Sequence, residues 1–190
     1  PSIGLAGSGS GNIPGFVTSA TGSNTTATIE VTPIYTYAGQ TCEGMFEQAQ
    51  ITVLPAPSVQ PLPDIVVCNG DATGLISIIG NASELNWSSS NPSIGTANLG
   101  SGTIPSFNAI NTGQNPVSTV ITVTPVNYIG SFTCLAPTID FSIIVNPTPT
   151  VNPILDQVLC ANDNSPAVLF SGNATNFTWT NSETSIGLAA

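Results

Sequence analysis

The sequence predicts an all-β protein, a tandem array of Ig-like, PKD-like β-sandwiches repeating about every 92 residues. Three observations carry this. Short runs rich in Val, Ile and Thr are bounded by Gly, Asn, Ser and Pro, and no helix-period segment of useful length interrupts them. "ATIEVTPIY" at 27–35 returns as "TVITVTPVNY" at 119–128, and "ELNWSSSNPSIG" at 84–95 returns as "NFTWTNSETSIG" at 176–187. Cys42 falls on Cys134, Cys68 on Cys160 and Trp87 on Trp179, each 92 positions apart.

The strands are expected in order. "DIVVC" (64–68), "GLISIIG" (74–80), "SELNWSS" (83–89), "TIPSFNAI" (103–110), "VSTVITVTPV" (117–126) and "APTIDFSIIVN" (136–146) are the clearest, with a weaker one between Ile94 and Leu99. In the fifth, Val117, Thr119, Ile121 and Val123 share one face, because side chains alternate along a strand. Trp87 lies on the third strand, where such sandwiches bury a tryptophan, and Trp179 is expected to do the same in its own unit.

Two proline-rich stretches, "LPAPSVQPLP" (54–63) and "VNPTPTVNP" (145–153), resist both helix and central sheet. They read as semi-stiff linkers. The resulting division is 1–56, the C-terminal part of one repeat; 57–148, a complete repeat; and 149–190, the N-terminal part of the next. The chain is therefore expected to be a window on a longer array. In a third arrangement, a polymer, one chain's 149–190 would complete another chain's 1–56 by strand donation.

Composition excludes several functions. Of 190 residues only 5% are charged, against roughly a quarter in ordinary domains. All ten charges are acidic, with no Lys, Arg or His. Without cations there is no neutralisation of phosphates, so nucleic acid is not an expected partner. Attraction to anionic membranes fails likewise, and no apolar run approaches the roughly 18 residues that span a bilayer. Ser-His-Asp and Cys-His catalysis lack their base. Paired carboxylates are not expected either, since Glu84 aligns with Asn176 and Glu30 with Thr122. No enzyme activity and no cofactor are predicted.

Four cysteines suggest an oxidising compartment. Cys68 with Cys134 would close a long loop inside one unit, worth roughly 4 kcal/mol in a chain-entropy model. Cys42 and Cys160 would then pair outside the sequence. The competing pairs, Cys42–Cys68 and Cys134–Cys160, would staple neighbouring units, and free thiols are a third state. Asp64, Asp71, Asp156 and Asp163 recur in register beside the "CNGD" and "CAND" turns. They could give carboxylates to a calcium ion, which needs six to eight oxygens, or simply form Asx-turns. Tyr35, Tyr37, Phe46, Tyr128 and Phe132 lie where successive units differ most, the expected place for a binding loop on a constant scaffold. Five N-x-S/T sequons (Asn24, Asn81, Asn86, Asn173, Asn176) are near the number that an Asn- and Thr-rich chain produces by chance.

The ordered elements D-x-V-x-C, N-W-S, S-I-G, I-P-x-F, T-x-T-P and I-x-V-x-P-x-P resemble the PKD-like tandem repeats of giant Bacteroidota cell-surface adhesins. Gliding adhesins of the SprB type, exported by type IX secretion, carry such repeats. The resemblance spans the whole chain. It implies an extracellular, surface-anchored filament whose partners are neighbouring repeats and surface glycans or the substratum. The lack of Lys and Arg departs from related repeats. The alternative is a glycan-binding or accessory module of a secreted enzyme.

Overall fold

The computed structural model describes residues 3–19 and 22–187, so the outermost residues of the 1–56 and 149–190 segments lie outside the described residues. The molecule is all-β, with two short 3-10 turns as its helical content among the described residues. Strands β1 (Thr25–Val31), β2 (Ile34–Tyr37), β3 (Gln40–Glu43) and β4 (Glu47–Val53) precede β5 (Ile65–Cys68), β6 (Glu84–Ser89), β7 (Leu99–Ser101), β8 (Val117–Ile129), β9 (Phe132–Leu135) and β10 (Ile139–Asn146).

The centre is a six-stranded sheet in the order β5-β10-β8-β6-β7, with β9 also on β8. β5 runs parallel to β10, and the other pairs are antiparallel. The predicted face of β8 is the buried one: Thr119, Ile121 and Val123 point inward with Phe141, Ile143 and Val145 of β10 and Trp87 of β6. Ile76, Ile78, Ile94, Ile104 and Ala109 cover this face as a second layer.

Pro125 explains how a thirteen-residue strand tolerates a proline. Leu85, opposite Pro125, gives its carbonyl to Gly102 on the far side of β6. Leu85 and Pro125 are thus a pair without mutual hydrogen bonds, and the missing N–H faces the other flank of β8. On that flank β10 ends opposite Val123 and β9 begins opposite Val126, so no ladder bond is lost.

Three strand expectations change. The 74–80 and 103–110 runs meet only at one isolated bridge, Ile76 with Ile104, and Ala72 just before the first run bridges Asn108. Gly74 at φ 72° breaks one run, and Pro105 denies the other a donor. The 94–99 strand is replaced by a 3-10 turn at Pro92–Ile94, capped by the Asn91 side chain and ended by left-handed Gly95, before the short β7. β9 was not expected at all, because "FTCL" has no alternating pattern; it exists because Gly130, at φ 57°, turns β8 back on itself.

The proposed Cys68–Cys134 bridge is overturned. Cys68 sits beside Asn146, just beyond the level where Val145 meets Val117, whereas Cys134 sits opposite Asn127. Ten residues of β8 separate those levels, about 33 Å at a strand's rise, while a disulfide needs Cα atoms within about 7 Å. All four cysteines are free thiols. The unfolding midpoint of the 57–148 unit should accordingly be the same with and without a reductant. A drop of several degrees on reduction would restore the bridge.

Before the central sheet, β1 pairs with β4 and β2 with β3, as two separate two-stranded ladders. Their registers, Thr25 with Val53 and Ile34 with Glu43, are those of Val117 with Val145 and Val126 with Leu135, 92 residues on. Residues 149–187 form no strand, only the Thr184–Ile186 turn. There the Ser185 hydroxyl and, second to it, the Ser185 N–H bond the Glu183 carboxylate and hold it below its ordinary range. This cap is at full strength above the carboxyl's ordinary value and is lost as pH falls through the lowered one.

Candidate functional site

Each end of the central unit is closed by asparagines. At the entry, Asn127 is buried; its Oδ1 accepts from Ser83 N–H (2.7 Å) and Ser83 Oγ (3.1 Å), and its Nδ2 donates to the Pro55 carbonyl (3.0 Å). Asn81 adds a second clasp, accepting from Ser58 N–H at 2.6 Å and donating to the Ala56 carbonyl. Pro55 and Pro57 are buried. The first linker is therefore part of the fold, held against the unit rather than swinging from it.

At the exit, buried Asn111 donates to the carbonyls of Val145 (2.8 Å) and Asn115 (2.9 Å). Asn69 accepts from the Asn111 N–H and donates to Thr148 Oγ1. Entry and exit occupy opposite ends of β8, so the chain enters at one pole and leaves at the other.

The entry clasp recurs. Thr150 N–H donates to Asn173 Oδ1 at 2.6 Å, and Asn173 donates to the Thr148 carbonyl, 92 residues after Ser58, Asn81 and Ala56. Gly80 and Gly172 both take the neighbouring chain so closely that a Cβ would strike the carbonyl of Ser58 or Thr150. Sequence reasoning passed over Asn81 and Asn173 as chance sequons; their repetition in "GNAS" and "GNAT" was the signal for a structural role.

The acidic positions are not brought together. Asp64 and Asp71 flank β5 at its two ends. Asp64 Oδ1 accepts from the Ser142 N–H at 2.7 Å and so ties β5 to β10. The backbone N–H groups of Asp71 and Asp163 each donate to the carbonyl three residues earlier, at 3.1 Å, and the Asp163 carboxylate accepts from the Cys160 N–H. Asp156 is exposed. Among the described residues no group of three or more His, Cys, Asp or Glu could hold a metal ion. The Asp64 and Asp163 carboxylates thus accept from backbone N–H groups and the four acids do not converge, which replaces the calcium reading.

Of the predicted binding loop, Tyr35 and Tyr37 lie two apart on one face of the exposed β2–β3 hairpin, turned at Ala38–Gly39. Tyr128 and Phe132 lie on the β8–β9 hairpin, and Phe46 directly precedes β4; all three are exposed. The equivalents of Tyr35 and Tyr37 in the central unit are Asn127 and Ile129, so the tyrosine pair is not a repeated feature.

Residues 149–187 instead present an apolar cleft of about 320 Å³, lined by Pro149, Val151, Ile154, Phe170, Phe177 and Trp179 among others. The Phe170 and Phe177 rings lie 5.9 Å apart, tilted by 39°. Its walls correspond to Val59, Leu62, Ile78, Leu85 and Trp87, all of which pack in or against the central core. The expectation of a buried Trp179 is not met: Trp87 is 4% exposed and Trp179 53%. The cleft is half of a core.

No family model, no curated protein and no solved structure matches the chain. Among the described residues no helix is long and apolar enough to cross a membrane.

Proposed function

We propose that the chain is a structural and adhesive repeat of a long extracellular bacterial surface filament, built from Ig-like units with a period of about 92 residues. The observation that carries this reading is the repeated entry clasp together with the opposed poles of the central unit. A unit entered at one end and left at the other, with its linker clamped, propagates as a rod, each unit supplying its own core. The parallel β5–β10 pair beside β8, with β6 and β7 beyond, is the strand order an Ig-like front sheet would have. The sparse, uniformly negative charge keeps neighbouring filaments apart. Neighbouring repeats are the first partners, and surface glycans or the substratum would be met by the variable hairpins. The unrepeated tyrosine pair favours this over a dedicated glycan-binding module, in which the platform would recur. No catalytic role is proposed.

Immunogold labelling of intact producing cells with antibody against residues 57–148 tests the reading. Label is expected along filaments outside the cell, and the antibody should block attachment to glass. Label confined within the cell envelope, or attachment unaffected by saturating antibody, would overturn it.

A further inference from the structure

Consecutive units meet on a single residue. Thr148 follows the end of β10 by two positions, at the exit pole, and its two oxygens are held by different units. Its Oγ1 accepts from Asn69 Nδ2 at 2.9 Å, and its carbonyl accepts from Asn173 Nδ2 at 3.1 Å. Asn69 belongs to the central unit and Asn173 to the segment that follows it.

Both asparagines are themselves fixed. The Asn69 N–H donates to the Asn146 carbonyl at 2.9 Å, and its Oδ1 accepts from the N–H of buried Asn111 at 2.8 Å. Asn69 is thereby tied both to β10 and to the exit clamp. Asn173 Oδ1 accepts from the N–H (2.6 Å) and the hydroxyl (3.1 Å) of Thr150. Pro147 and Pro149 flank Thr148, so φ is set on either side and Thr148 itself is kept extended. Few torsions stay free between the two units, and two hydrogen bonds to one residue restrain them.

The bond from Asn69 is particular to this junction. Ala56 stands 92 positions before Thr148 and carries no side-chain oxygen. Asn81 and Asn127 fix that earlier linker to the unit after it, but Ala56 has no hydroxyl for the unit before it to hold. Ala161 stands 92 positions after Asn69 and carries no donor. The flanking prolines and the entry clasp recur, whereas the Asn69–Thr148 pair does not.

We propose that Thr148 is a latch that locks the central unit and its successor in one orientation, and that the Ala56 junction, which lacks it, bends freely. An array built on this rule is a jointed rod, stiff where the Asn and Thr coincide and pliant where either is replaced. The inference rests on the tandem arrangement of the proposed function but not on its adhesive role. A failed cell-labelling experiment would leave it standing.

The test is backbone ¹⁵N relaxation on the 190-residue chain, which reads nanosecond motion. In the parent, the Thr150 and Asn152 amides, both hydrogen-bonded, should share the correlation time of residues 57–148. Those of β1 and β4 should already tumble separately. Thr148→Val keeps the shape and removes the hydroxyl, so Thr150 and Asn152 should lose the common correlation time. Thr148→Ser, which keeps the hydroxyl, should restore it. Asn69→Ala should free the joint as Thr148→Val does, and the double variant should be no freer than Asn69→Ala alone. Unchanged melting of the 57–148 unit controls for folding. Thr150 and Asn152 still locked in Thr148→Val, Thr148→Ser as loose as Thr148→Val, or β1 and β4 tumbling rigidly with the central unit would each overturn the proposal.

Discussion

Trp87→Ala should lower the stability of the 57–148 unit by about 3–5 kcal/mol, the usual cost of removing a large aromatic from a packed core. For a unit of this size that is a fall in the melting midpoint on the order of 15 °C or more. The indole is 4% exposed and lies among Ile, Val and Phe side chains contributed by both layers. It also dictates its neighbour across the ladder. Gly100 is paired with Trp87, and a Cβ at Gly100 would strike the indole ring. Gly100→Ala must therefore displace the indole, and should cost about 1–3 kcal/mol through overpacking. Trp179→Ala is the internal control. Its effect should stay below about 0.5 kcal/mol, as for an open surface site. Equal losses at Trp87 and Trp179 would show that the C-terminal segment already has a complete core of its own.

Asn127→Ala is expected to remove about 2–3 kcal/mol, because it strands the buried Pro55 carbonyl and releases Ser83. The loss should be local in its consequences. Hydrogen exchange should quicken at Ala56, Ser58 and Ser83, while the exit pole around Asn111 keeps its protection. The two poles are built from separate asparagines with no shared partner, so Asn127→Ala and Asn111→Ala should add in a double mutant. Uniform acceleration across both poles would mean that the clasps act as one cooperative network. If exchange near Pro55 is unchanged, the linker is held by packing of Pro55 and Pro57 alone.

Most of the central sheet was readable before any coordinates. β5, β8 and β10 announce themselves by β-branched residues and β6 by Leu85 and Trp87 two apart, and alternation is a direct consequence of strand geometry. The covering layer was harder. Its isoleucines were recognised, but Gly74 and Pro105 limit their ladders to single bridges, so runs that look like strands behave as connected loops. The β8–β9 hairpin was missed because "FTCL" does not alternate, and only the turn at Gly130 brings it onto β8. The candidate site divides in the same way. The acids were found as a recurring pattern, yet recurrence along the chain does not say whether carboxylates meet, and Asp64 and Asp71 do not.

The amino-acid sequence alone determined the all-β character, the recurrence of its Cys and Trp motifs 92 positions apart and the absence of Lys, Arg and His, since each follows from residue type and spacing along the chain. Only the tertiary structure decided which cysteines share a level, which asparagines clamp the poles, and which tryptophan is covered. Those depend on strand register and on which segments share a core, and both are set by packing between residues far apart in sequence. A parallel β5–β10 pair carries Cys68 to the opposite pole from Cys134. Trp87 is buried under the Ile76, Ile94 and Ile104 layer, whereas Trp179 stays half exposed.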